Sequence, residues 1–269
     1  MLILLPPSET KRDGGAGSPL ALDRLSFPEL HPVRREVVGA LVELSADREA
    51  SVKALKLGPK QAGEVERNRS LPTAPTMRAL ERYTGVLYDA LEASSLSDAE
   101  WQAAAESVAV QSALFGLVGA ADPIPAYRLS FDSKLSTKRG AASLKKRWAA
   151  AGAAALAERD DLLLDLRSEG YAALAPLPDR EGAHYVRVLA RGDDGQVRAL
   201  NHFNKQAKGL LTRAIVEAGA SFGSTDHLLE WAEEEGYELR PAADGSRDLL
   251  LVVPEVRGVP GRLMAALRA

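Results

Sequence analysis

The chain opens on a uniformly apolar run, residues 2–5, LILL, which stops at Pro6-Pro7, the mark of a short central strand followed by a loop. The polar, glycine-rich SETKRDGGAGSP after it predicts a mobile loop. From Glu36 to Leu44 the period changes: Val37, Val38, Leu41, Val42 and Leu44 recur at helical spacing and predict an amphipathic helix. Further helices are predicted at 47–57, 75–92 and 98–114. The last begins with Ser97 as N-cap and Glu100 three residues on, a capping box. In ALFGLVGAADPIPAYRL, two glycines and two prolines break any helix and predict a structured loop or short hairpin. Residues 140–157 are alanine-rich and helical by propensity, with Gly152 weakening the middle.

The second half mixes periods. DLLLDL at 161–166 reads as a buried strand, HYVRVLAR at 184–191 alternates as a strand, and VRALNHF pairs with it across GDDGQ. A helix over 206–218, another from about Thr225 to Glu235, and a strand at 248–254 complete the chain. The predicted fold is α+β (mixed α/β), a mixed sheet wrapped by several helices, in a single compact domain spanning 1–269.

Composition narrows the chemistry. The absence of cysteine removes disulfides, iron–sulfur clusters, thiolate zinc sites and thiol redox switching, leaving three methionines as oxidisable side chains. The four histidines show no paired-ligand spacing, so neither a metal site nor a cofactor is expected. No apolar run approaches the roughly 20 residues of a membrane span, and MLILL reads as a strand and not an export signal, so a cytoplasmic location is expected. The net charge of -3 hides an uneven distribution. Six basic residues and no acid lie between Lys134 and Arg147 (Lys134, Lys138, Arg139, Lys145, Lys146, Arg147), while 226–248 holds eight acids against two arginines.

Several stretches in order resemble one family. MLILLPPSETK, RYTGVLYDAL (82–91), SALFGLVGAADPIPAYRLSFDSKL (112–135), DLRSEGY (165–171) and NHFNKQAKGLLTRAI (201–215) are similar to segments of the YaaA family, the peroxide stress proteins, with thinner similarity over 11–35 and 172–200. The resemblance implies protection against hydrogen peroxide, low intracellular iron and, in some members, DNA binding through a helix-hairpin-helix. It implies no single catalytic reaction. This chain departs from the usual hairpin: Gly116-Leu117-Val118-Gly119 has one residue more between its glycines.

The candidate anion- or ligand-binding residues are Ser8, Thr10, Lys11, Tyr83, Thr84, Tyr127, Arg128, Ser168, Tyr171, Lys205 and Lys208. Lys205 and Lys208 stand at a helix N-terminus, where cations oppose the helix dipole and an anion compensates. Gly209 is read as permitting close approach of that anion. The plain alternative is that both lysines are solvated. Arg213 is assigned to Glu217, four residues on. Ser8, Thr10 and Lys11 follow the first strand, where ligands of such folds commonly sit, although a Ser/Thr-rich turn is usually only a turn. Tyr127-Arg128 follows Pro125 and offers a bidentate grip and a ring; Tyr83 and Thr84 add hydroxyls, and Ser168 and Tyr171 follow a buried strand. Nucleic-acid contacts are assigned to the six basic residues of 134–147, with Trp148 beside them to stack on a base.

Two functions are therefore carried forward: a peroxide stress protein that binds DNA and limits iron-driven damage, and an enzyme acting on a small phosphate- or nucleotide-like anion in a Lys/Arg/Tyr-lined cleft. Oligomeric state is not legible.

Overall fold

Leu2–Leu5 is completely buried and forms strand β1, central in an eight-stranded mixed sheet. The computed structural model describes residues 1–137, 140–191, 197–199, 203–219 and 221–254. The remaining strands of this sheet are β2 (Val108–Ser112), β3 (Gly116–Gly119), β4 (Leu163–Asp165), β5 (Ala183–Arg191), β6 (Val197–Ala199), β7 (Glu238–Pro241) and β8 (Leu249–Pro254). Their order is β7-β8-β5-β4-β1-β2-β3, with β6 pairing the far end of β5. The pairings of β1 with β2 and β4, of β4 with β5 and of β5 with β8 are parallel. Parallel strands are covered on both faces, which is why β1 and β4 are buried without alternation. The fold is α+β, a mixed sheet wrapped by helices.

Those helices are α1 (His31–Leu44), α2 (Arg48–Ala54), α3 (Gly63–Arg69), α4 (Ala79–Arg82), α5 (Val86–Leu91), α6 (Asp98–Ser107), α7 (Leu144–Ala157), α8 (Glu169–Ala172), α9 (Phe203–Glu217) and α10 (Thr225–Glu234). The Ser97–Glu100 capping box starts α6 as predicted. No helix among the described residues is long and apolar enough to cross a membrane.

Tertiary pairing overrides helical propensity in three places. The segment 75–92 is a strand at Pro75–Arg78, then α4, a break at Tyr83–Gly85, and α5. Gly85 takes φ 102°, a conformation no helix contains. The segment 98–114 is helical only to Ser107; β-branched Val108 and Val110 then enter the sheet beside Ile3 and Leu5. In 140–157, Gly140–Ala141 pairs with Ser136–Thr137, and α7 starts at Leu144, capped by Ser143. Gly116–Gly119 is itself a strand, joined to β2 in a β-hairpin, so no helical hairpin forms on these glycines.

The loop after β1, predicted to be mobile, is anchored by a buried arginine. Arg82 donates to the carbonyls of Arg12 (2.5 Å), Gly14 (2.9 Å), Pro75 (3.2 Å) and Ile124 (3.1 Å). The Arg12 N–H returns a bond to the Arg82 carbonyl at 2.8 Å. Residues 8–11 are thereby held against residues 83–85.

Candidate functional site: a cleft beyond the ends of β1 and β4

The loops leaving the C-terminal ends of the parallel neighbours β1 and β4 open onto a cleft of about 820 Å³. The crevice beyond strand C-termini is where ligands of α/β sheets usually sit. Ser8 and Thr10 enter from the loop after β1, Thr84 from the break before α5, Ser168 and Tyr171 from the segment after β4, and Lys205 and Lys208 from α9. Seven of the predicted residues are thus brought together from four separate stretches of chain.

Three hydroxyls form one cluster. Ser8 Oγ lies 3.2 Å from Thr10 Oγ1, and Thr84 Oγ1 donates to Thr10 Oγ1 at 3.0 Å. Backbone pairing places them: Lys11 and Tyr83 form an antiparallel bridge, and the Thr84 N–H donates to the Thr10 carbonyl at 3.3 Å.

Lys208 lies on the second turn of α9, 5% exposed, and its amine donates to the Arg167 carbonyl at 3.4 Å. The carboxylate whose charge acts on it, Asp165, is already engaged: Arg167 Nε donates to Oδ1 at 2.8 Å and Nη2 to Oδ2 at 2.6 Å. Among the described residues, Lys208 forms no ion pair. Burial lowers its pKa from the ordinary lysine value to about 8, only partly offset by the Asp165 charge. Lys205, one turn earlier, is exposed on the rim. Gly209 does not face the cleft. A Cβ there would come 2.2 Å from the Leu87 carbonyl and 2.9 Å from the Ala90 Cβ. Its small size therefore serves the close crossing of α9 over α5, and not the approach of a ligand.

Lys11, Tyr83, Tyr127 and Arg128 form the layer behind. Lys11 is 8% exposed; its amine sits 4.1 Å from the Tyr127 ring centroid and donates to the Ser8 carbonyl at 2.8 Å. Burial brings its pKa down to about 7, against the raising effect of Glu9. Ser112 Oγ accepts the N–H groups of Leu114 and Phe115, both at 3.0 Å, so its own proton goes to Tyr127, 2.7 Å away. The Tyr127 and Tyr83 hydroxyls share a further hydrogen bond at 2.9 Å. Burial raises the pKa of both phenols. Arg128 pairs with Glu9 at 2.9 Å, and Tyr171 donates to the other Glu9 oxygen at 3.5 Å. These groups aim at the loop carrying Ser8 and Thr10 and set its shape from beneath.

The basic run 134–147 is divided. Lys134, Lys145 and Lys146 are exposed, while Lys138 and Arg139 lie outside the described residues. The Arg147 side chain is nearly buried, engaged with Glu36 and the Gly140 carbonyl. Trp148 is 1% exposed and donates to the Ala113 carbonyl at 3.0 Å, so it has no face to offer a base.

The sequence profile of the family described as peroxide stress protein YaaA matches residues 1–243. The chain belongs to that family. A UPF0246 protein of Corynebacterium glutamicum is 41% identical over 254 residues, covering 94% of this chain and all of the relative. A UPF0246 protein of Streptomyces coelicolor is 41% identical over 246 residues, 90% and 93% of the two chains. One of Psychromonas ingrahamii is 27% identical over 266 residues, 95% of this chain and all of the relative.

In this YaaA family member the cleft also holds groups that sequence patterns did not single out. Glu9, Phe131, Tyr185 and Asn204 line it, and the Asp165–Arg167 pair lies beneath Lys208. An Asp-x-Arg at the end of a buried strand is a readable sign of an internal ion pair. Nothing in the sequence distinguishes Phe131 from a core phenylalanine.

Proposed function

We propose that this protein contributes to peroxide resistance by binding a small anionic, phosphate- or nucleotide-like ligand in the cleft. Lys205 and Lys208 are the anion contacts, and Ser8, Thr10, Thr84 and Ser168 are the hydrogen-bonding wall. One observation carries this reading: the Lys208 amine is buried in the cleft wall with a single long hydrogen bond, while the carboxylate that could neutralise it is committed to Arg167. A buried cation without a counter-ion is costly, and an anion in the cleft removes that cost. The proposed cellular outcome is less iron-driven oxidative damage.

A second reading, DNA binding, is favoured by the exposed Lys134, Lys145 and Lys146 and weakened by the engagement of Arg147 and Trp148. Native mass spectrometry of protein purified from its own cells separates the two. The cleft reading expects a retained small anion that is lost in Lys208→Ala, and lower peroxide survival of cells carrying that variant. A ligand-free protein whose Lys134/Lys145/Lys146→Ala form alone loses survival, together with a salt-dependent DNA affinity, supports DNA instead.

A further inference from the structure

Among the described residues, the large apolar side chains left exposed are Val86 and Phe131, each 38% exposed. Both line this one cleft. Phe131 is held in place and not merely loose at the surface: its ring stands edge-on to Tyr171 at 5.2 Å, and a Cβ on Gly170 would come within 2.6 Å of it. An exposed aromatic ring fixed at the edge of a polar cleft is a surface that an apolar or planar group can cover. Inorganic phosphate covers none of it and fills little of about 820 Å³, a volume in the range of sites for drug-sized ligands. The hydroxyl cluster of Ser8, Thr10 and Thr84 offers donors and acceptors suited to a sugar diol, and Lys205 and Lys208 offer positive charge. Glu9 and Glu169 on the same lining oppose a highly charged polyphosphate.

We infer that the cleft accepts one nucleoside monophosphate unit, with its base against Phe131, its ribose at the Ser8–Thr10–Thr84 cluster and its phosphate at Lys205 and Lys208. This rests on the anion-binding reading above and adds the aromatic and sugar subsites to it.

Calorimetric titration with AMP, ribose 5-phosphate and inorganic phosphate at one pH and ionic strength tests it, on the wild type and on Phe131→Ala and Phe131→Leu. AMP is expected to bind best. Phe131→Ala should weaken AMP by roughly 5- to 150-fold, the usual worth of a base on an aromatic side chain, and leave ribose 5-phosphate unchanged. Phe131→Leu, which keeps apolar bulk, controls for disturbed packing against Tyr171 and should lie between the two. A 5′-phosphorylated tetranucleotide distinguishes sources of the same unit: binding weaker than AMP marks a free nucleotide, tighter binding a strand end. Equal affinity for AMP and ribose 5-phosphate, or AMP affinity indifferent to Phe131, overturns the inference while leaving anion binding intact. Failure of all three ligands to bind overturns both.

Discussion

The Arg167 main-chain carbonyl accepts the Lys208 amine at 3.4 Å, while the guanidinium of the same arginine closes on Asp165. Backbone and side chain of one residue thus divide the local charges. The acid is neutralised from within the core, and the amine is left at the cleft with one carbonyl dipole and the Tyr185 ring, 5.6 Å away, but no carboxylate bonded to it.

That division has a pH signature. An anion beside Lys208 favours its protonated form and raises its pKa in the complex. Below about pH 8 the amine of the free protein is already charged and affinity is flat in this group. Above about pH 8 binding must take up a proton, so affinity should fall by up to ~10-fold per pH unit. Titration calorimetry in buffers of different ionisation enthalpy, between pH 7 and 9.5, reads both the slope and the proton uptake. Lys208→Arg, charged throughout, should flatten the slope.

Lys11 has the opposite kind of consequence, on stability. Its folded pKa of about 7 lies below the ordinary lysine value of 10.5, so between those pH values the unfolded chain binds a proton that the folded chain has shed. Stability from this group therefore rises with pH across that window, by at most ~1.4 kcal/mol per unit. Urea unfolding of wild type and Lys11→Met from pH 6.5 to 9.5 should show the difference between them moving in favour of wild type as pH rises.

Gly209→Ala should destabilise the protein by about 1–3 kcal/mol, because the added methyl meets the Leu87 carbonyl across the α5–α9 crossing. The melting temperature checks this directly. Any loss of ligand affinity should follow displacement of α9 as a whole.

Arg213→Ala should also cost stability, about 1–2 kcal/mol, and leave ligand affinity unchanged. The predicted pairing with Glu217 is present at 2.6 Å. Arg213 also donates to the carbonyls of Leu91 and Glu92, both at 3.0 Å, and so ties α9 to the end of α5. Unfolding and binding measured on the same variant separate the two effects.

What was legible in the sequence follows from where the information resides. The central strands could be read because a strand buried on both faces is built on an apolar run, as LILL is and as the three leucines of DLLLDL are. The Ser97 cap was legible because capping is local chemistry between residues three apart. The helix breaks at Tyr83–Gly85 and Ser107 were not, since each follows from a partner distant in sequence: the loop after β1 in one case, β1 itself in the other. Within the site, residue types chosen at strand ends and at the α9 start did converge, but type alone could not separate Lys208, which faces the cleft, from Lys11, which supports it. Trp148 looked available beside a basic run because its neighbours are charged; only the contact with Ala113 shows that it belongs to the core.

The most direct test is the affinity of purified protein for inorganic phosphate at pH 7.5, compared between wild type and Lys208→Met by titration calorimetry, with melting temperatures recorded in parallel. Saturable binding at one site per chain, weakened at least ~10-fold in a variant that melts no lower than wild type, is the predicted result. Absence of saturable binding by the wild type, or equal affinity in the two proteins, would contradict the assignment of this cleft as an anion site.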